Sequence, residues 1–206
     1  MTPERLEKIK AVLDKRTDYC VPVLDNVYDP YNFAAVLRSC EAFGLQEVHI
    51  ITTSEKFELE RKISKGCERW LDLKFWHEHK ECFDFLRSEG RLIVATALPK
   101  DGEKAFPLPE LPLDKPLAII FGNEHRGVGE ESLAECDLKA FLPMYGFVES
   151  LNISAAFAAS LGALLPRLRK EQPNCALSEA KKTEILSRWI ADEPNRNKRK
   201  LANTPP

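Results

Sequence analysis

The sequence lacks most of the marks that announce a function. No apolar run approaches the ~20 residues of a bilayer span, so no transmembrane helix and no membrane partner is expected. The opening MTPERLEKIK mixes charges of both signs and has no apolar centre, unlike a signal peptide. Excess charge is missing too. With 30 Lys and Arg against 32 Asp and Glu, the net charge of −2 excludes a global basic field for nucleic acid, though not local clusters. Glycine is scarce, and none of the nine stands in GxGxxG or a Walker loop; Gly122-Asn123-Glu124-His125-Arg126-Gly127 does not meet either pattern. Glu149-Ser150-Leu151 does not meet the GxSxG of a serine hydrolase. The six cysteines (Cys20, Cys40, Cys67, Cys82, Cys136, Cys175) lack zinc-knuckle or redox-pair spacing and read as reduced, mostly buried thiols of a cytoplasmic protein. Among the four histidines only His77-Glu78-His79 is close-spaced, and it has no third ligand, so no metal is expected.

What is present is an alternation. The 206 residues suit one domain with terminal extensions. Apolar, β-branched runs predict strands at Tyr19–Leu24, Gln46–Thr52, Trp70–Trp76, Arg91–Ala97, Pro116–Phe121 and Leu138–Leu142. Helical patterns fall between them. They cover Pro3 to Lys15, Asn32 (as cap) to Phe43, Ser54 to Lys65, Glu78 to Ser88, Glu130 to Glu135, Asn152 to Lys170 and Ser178 to Ile190. Pro99–Leu113, with four prolines, reads as loop. The basic tail Arg196-Asn197-Lys198-Arg199-Lys200 reads as disordered. Strands alternating with helices predict an α/β fold, a mostly parallel sheet with helices on both faces. The expected division is a helical extension over 1–18, a core domain over 19–170, and a helical extension with basic tail over 171–206.

Ligands of such sheets sit beyond the carboxyl ends of the strands. Three loops there carry polar residues: Asp25–Asn32, Gly122–Gly129 and Pro143–Asn152. The last leads into a helix of small residues with no charge between Ser150 and Pro166, whose mouth offers backbone donors. Each candidate has two readings at this point. Asn32 caps its helix or belongs to a site. Arg38 is a surface residue, an ion-pair partner of Glu124, or a planar fork for phosphate. Glu124 is an ordinary loop carboxylate or orients a polar group, and Ser150 and Asn152 are caps or ligands of a substrate.

These residues resemble a known family. Asn26–Asn32 with Arg38–Gly44 resembles the first motif of the SpoU-type (TrmH) RNA 2′-O-ribose methyltransferases. Ile119–Glu124 with Gly127 resembles the second, and Leu142–Met144 through Ser150–Ser154 the third. Order and spacing match, and the likeness covers Val21 to Arg167. The resemblance implies a C-terminal deep trefoil knot, which periodicity cannot reveal and which general rules make rare. It implies S-adenosylmethionine held largely by backbone groups of Thr96, Ala97, Leu98, Gly122, Leu142, Met144 and Leu151. It places the catalytic arginine at Arg38, with Asn32, Glu124, Ser150 and Asn152 as the other catalytic-site residues. Arg38 then either takes the ribose proton or clamps phosphate beside the developing alkoxide.

With only about 20 residues before the first strand, the chain is similar to the group that methylates guanosine 18 in the D-loop of tRNA. The resemblance also implies a homodimer. Ribosomal RNA or another tRNA position is the alternative target, and a non-catalytic RNA-binding protein the alternative class. Arg167, Arg169 and Lys170, with the tail, are the candidate RNA-binding cations, through phosphate contacts. Phe147 and Glu149 depart from the family's usual residues.

Overall fold

The structure is a computed structural model that describes residues 1–53, 66–99, 103–148 and 150–202, with side chains through residue 192. The helix expected from Ser54 to Lys65 lies outside the described residues, as does Glu149. Two compact units are present: Asp18–Cys175, and Met1–Thr17 with Ala176–Pro206.

The larger unit is built on a seven-stranded sheet. Its strands are β1 (Cys20–Asp25), β2 (Glu47–Ile51), β3 (Asp72–Trp76), β4 (Leu92–Thr96), β5 (Ala105–Pro107), β6 (Leu117–Phe121) and β7 (Leu138–Phe141), in the order β3-β2-β1-β6-β4-β7-β5. All six pairings are parallel. The central strands are apolar throughout because both faces are covered. On β6, Leu117, Ile119 and Phe121 face one core, together with α2 (Pro30–Phe43) and α5 (Ile153–Glu171). Ala118 and Ile120 face the other, with α3 (His79–Ser88) and Val128 ahead of α4 (Glu130–Glu135). The period of two along the strand thus sorts one sequence into two cores. The fold is the expected α/β class.

Three local expectations are corrected. Asn32 does not cap α2. Asp29 does, accepting from the Asn32 N–H at 2.8 Å, and Pro30 takes the first helical position, where its missing N–H costs nothing. That frees the Asn32 side chain. Part of the proline-rich stretch expected to be loop forms β5, a three-residue strand paired with β7. As the sheet's last strand it pairs on one side only, which tolerates Pro107. The tail is not coil: the last helix, α6 (Glu179–Ala202), runs past Ile190 and includes Arg196–Lys200. Lys, Arg and Leu there are good helix formers.

The smaller unit packs α1 (Pro3–Leu13) on α6 through Ile9, Leu13, Ile185 and Trp189. Thr2 caps α1, with Pro3 following. Arg16 is buried with its guanidinium 5.5 Å from the centre of the Trp189 ring. Among the described residues no helix is long and apolar enough to cross a membrane.

A polar cluster lies on β2 and β3. Trp76 Nε1 donates to His49 Nδ1 (3.1 Å), so His49 Nε2 carries the proton it gives to Glu47 (2.8 Å), and the ring is neutral. Burial lowers the His49 pKa in the same sense, against the pull of Glu47. Burial alone would raise the Glu47 carboxyl, but the hydrogen bonds from His49 and Lys74 (3.0 Å) outweigh it and hold it at about 2. Because the ring is neutral, Lys74 supplies the charge. A carboxyl depressed in the folded state stabilises above its unfolded value near 4.5, and this contribution fades as pH falls toward 2. Lys74→Met is therefore expected to lower the unfolding free energy measured by urea denaturation at pH 7 by about 2 kcal/mol or less. The gap from the parent chain should close toward pH 2. A gap independent of pH would sink this account.

Candidate active site

The carboxyl ends of β1, β4, β6 and β7 lie at one edge, since the strands are parallel. A cavity of about 160 Å³ opens there, lined by Thr96, Ala97, Leu98, Leu142, Met144, Ser150 and Leu151, with Phe121 and Phe141 among its walls. Six of the seven residues expected at a cofactor are thus brought together, with Ser150 beside them. A wider hollow of about 640 Å³ adjoins it and shares Leu98, Phe141, Leu142 and Met144. Its volume lies in the range of roughly 300–1,000 Å³ usual for small-molecule sites. The smaller cavity is lined by apolar and neutral polar residues alone. That suits a nucleoside without phosphate, whose base needs an apolar slot and main-chain partners. Thr96 holds the wall by donating to Ile120 O at 2.7 Å, and Phe121 stands edge-on to Phe157 of α5, centroids 4.7 Å apart.

Gly122 does not line the cavity. It sits where the chain turns back on itself: Asn123 and Gly127 exchange both backbone hydrogen bonds (3.0 and 3.1 Å), and Asn123 Oδ1 accepts from the N–H groups of His125 and Arg126. A Cβ at 122 would lie 1.8 Å from the Gly127 carbonyl carbon. The glycine permits a close approach of backbone to backbone within the loop.

Beside the cavity three side chains interlock. Asn32 Nδ2 donates to Glu124 Oε1 at 2.5 Å, and Asn152 Nδ2 donates to Asn32 Oδ1 at 3.0 Å. Asn152 Oδ1 in turn accepts from Ser154 N (3.0 Å) and Ser154 Oγ (2.6 Å), capping α5. The chain links the first, second and third loops through residues 92 and 120 positions apart. It fixes the Asn32 amide, whose second N–H has no partner among the described residues.

Arg38 does not join them. Six residues beyond Asn32 on α2, it stands about 9 Å farther along the axis and roughly 120° around it. Its side chain is exposed and makes no hydrogen bond or ion pair among the described residues; of the alternatives, the pair with Glu124 is not formed, and Asn32 donates to that carboxylate instead. The basic cluster on α5 is divided. Arg167 is spent inside the fold: it donates to Pro109 O (2.5 Å), to Leu111 O, and to Glu171 (2.7 Å). Its donors are engaged within the fold, which sets it apart from Arg169 and Lys170 among the expected RNA contacts. Arg169 and Lys170 are exposed, and Arg169 Nη2 reaches Phe43 O at 3.1 Å.

The sequence reading missed the cavity walls Leu108, Phe121, Ala140 and Phe141. Phe121 and Phe141 end β6 and β7, and that terminal position was the available signal. Leu108 lay in the stretch taken for loop. Among the described residues no group of three metal-ligating side chains suits a metal ion.

The family model described as the SpoU rRNA Methylase family matches residues 20–161. A tRNA (guanosine(18)-2′-O)-methyltransferase of Borreliella burgdorferi is 37% identical over 189 residues, 92% of this chain and 85% of that one. The enzyme of the same name from Thermus thermophilus is 37% identical over 160 residues, 78% and 81% of the two chains. The crystal structure of the Aquifex aeolicus TrmH/SpoU tRNA modifying enzyme superposes with a TM-score of 0.80 at 29% identity, covering 92% of this chain and 96% of that one.

Proposed function

The chain belongs to the SpoU methylase family, and from that premise we propose that it is a tRNA (guanosine-2′-O-)-methyltransferase. It transfers a methyl group from S-adenosylmethionine to the ribose 2′-hydroxyl of a guanosine, position 18 of the D-loop. The names of the Borreliella and Thermus relatives support the substrate, and they span most of this chain. The observation that carries the reading is the Glu124–Asn32–Asn152 chain of hydrogen bonds set against a cavity without charged lining.

The cofactor, when bound, supplies an electrophilic methyl on a sulfonium. The residues Thr96, Ala97, Leu98, Leu142, Met144 and Leu151 would hold its nucleoside against the apolar cavity and exclude water. Ser150, exposed at the same rim, faces the incoming ribose. Glu124 and Asn152 lock the Asn32 amide, which leaves one N–H to orient the RNA. Arg38 binds the RNA phosphate and stabilises the developing alkoxide; a guanidinium keeps its protons, so the ribose proton leaves to phosphate or water. Positioning and desolvation are the main tasks of such an in-line transfer.

The finer parts of the reading belong to the same proposal. The loops after β4, β6 and β7 form a deep trefoil knot; the adjacency of those strands and the return of α5 beneath Phe121 support it. The protein is a homodimer. Tyr145, Phe147, Val148 and Leu151 are exposed beside the site, and Ala155, Ala159 and Gly162 form an exposed small-residue face on α5. Residues 19–170 are the catalytic domain, and 1–18 and 171–206 are extensions, with Arg169, Lys170 and the basic sequence 196–200 as the proposed tRNA contacts. All six cysteines are thiols, and burial pushes Cys20 and Cys82 up to about 12, which supports a reducing cytoplasm.

Incubation of unmodified tRNA with labelled cofactor, followed by mapping of the methylated ribose, tests this. Label at guanosine 18 is expected. Label on ribosomal RNA alone would overturn the substrate, and no binding of S-adenosylhomocysteine by calorimetry would overturn the enzyme.

A further inference from the structure

Glu124 is held by a loop, and the far end of that loop is pinned by groups the mechanism has not used. Asp25 closes β1 and is buried. Its Oδ2 accepts from the Gly129 N–H at 3.0 Å. Its Oδ1 accepts from Asn26 Nδ2 at 2.9 Å and faces His79 Nε2 at 3.1 Å. The other ring nitrogen, His79 Nδ1, faces Glu131 Oε2 at 2.6 Å. The ring thus bridges the two carboxylates, one at each nitrogen. Asn26 is the one non-glycine residue with positive φ (53°) among those described, and its Oδ1 accepts from Tyr28 Oη (2.7 Å), Thr53 N and Thr53 Oγ1 (3.1 Å each). A non-glycine residue held there marks a backbone that its surroundings over-determine.

The cluster joins four elements: the end of β1, the end of β2, the first turn of α3 and the first turn of α4. The loop Gly122–Gly129 is trapped between two anchorages. One is Asp25 at Gly129, and the other is Asn32 at Glu124. Packing at the pin is tight, since a Cβ on Gly129 would stand 3.1 Å from Asp25 Oδ2. Carboxylate bonds to backbone N–H are the strong kind, and a misplacement near 1 Å in a positioned group costs about 10²-fold in rate.

We infer that Asp25 and His79 are positioning residues for methyl transfer, which hold the Gly122–Gly129 loop so that Glu124 keeps the Asn32 amide aimed at the RNA. The inference rests on the methyltransferase reading. The cavity walls come from other segments, so the pair acts on turnover and not on cofactor binding.

The test compares the full-length protein with His79→Gln, Asp25→Asn and Asp25→Glu. His79→Gln removes the bridging ring but keeps one donor for Asp25, and Glu131 is then left largely in water. For His79→Gln and Asp25→Asn, kcat on tRNA is expected to fall about 10–100-fold. The affinity for S-adenosylhomocysteine should stay within twofold, and Asp25→Glu should restore part of kcat. Hydrogen exchange across 122–130 should quicken in the first two variants and not in Lys80→Ala, an exposed control on α3. A parent enzyme that labels tRNA beside a His79→Gln enzyme that labels it as fast overturns the positioning role alone. Loss of cofactor affinity in step with kcat overturns it too. If the parent labels no RNA, the methyltransferase reading falls and this role with it, while unchanged exchange in the variants shows separately that the pin is absent.

Discussion

Arg38→Ala is expected to lower kcat for tRNA methylation by roughly 10²–10³-fold, the scale seen when one donor to a developing oxyanion is removed. The fold gives this substitution little other way to act. Arg38 lies in the middle of α2 with its side chain exposed, and no backbone carbonyl or carboxylate among the described residues depends on it. Alanine is also the better helix former. Melting temperature and calorimetric affinity for S-adenosylhomocysteine should therefore stay at the parent's values. The contrast with Arg167 sharpens the expectation: there the guanidinium holds Pro109 O and Leu111 O, so the same truncation acts on stability. If Arg38 grips an RNA phosphate, KM for tRNA should rise as well, and the salt dependence of binding should lose about one unit of slope. Arg38→Lys keeps the point charge but not the fork and should recover only part of the rate. An Arg38→Ala enzyme with full turnover would remove this residue from the reaction.

Much of the sheet was legible in the sequence because its central strands are buried on both faces and read as unbroken apolar runs. The Val21–Leu24, Ile50–Ile51 and Leu117–Phe121 segments needed no partner to be recognised. β5 was not legible. Three residues with a proline carry no period, and only the neighbouring β7 makes them a strand. The start of α2 was misread by three residues because Asn32 and Asp29 are equally good caps in isolation; Pro30 decides between them. That small error hid a larger point, since an Asn used as a cap turns its Oδ1 to its own helix and not to Asn152, whereas Asn32 Oδ1 accepts from Asn152 Nδ2. The loops of the site were legible as polar segments after strands. Which side chains meet was not, because the bonds Asn32–Glu124 and Asn152–Asn32 span 92 and 120 positions. Arg167 shows the opposite failure. A basic residue near other basic residues reads as a phosphate ligand, and nothing local reveals that its donors are taken by carbonyls 56 and 58 residues away. His79 was weighed only as a metal ligand beside His77, whereas its partners are Asp25 and Glu131.

Gly122→Ala is expected to be the most damaging single methyl group in the chain. The reason is not a special dihedral, for Gly122 is not among the positive-φ glycines. It is space. The added carbon would stand 1.8 Å from Gly127 C, 1.9 Å from Gly127 O and 2.1 Å from Val128 N. Those are backbone atoms, which have no rotamer to yield. Relief requires opening the Asn123–Gly127 bridge and the turn that Asn123 Oδ1 organises over His125 and Arg126. That displaces Glu124 within the turn and strains the Gly129 bond to Asp25 at its end. Overpacking against ordinary side chains costs about 1–3 kcal/mol and occasionally more; against fixed backbone the upper end applies. The variant should melt lower and methylate tRNA at least about 10²-fold more slowly. Gly146→Ala is the control, because that glycine has open space around its missing Cβ and lies in the loop beside the cavity. If the two substitutions behave alike in melting and turnover, the second motif's glycine is not there for the close approach of the loop to itself. If only Gly122→Ala fails, the glycine's task is to let residues 122–129 fold back tightly enough to carry Glu124 to Asn32.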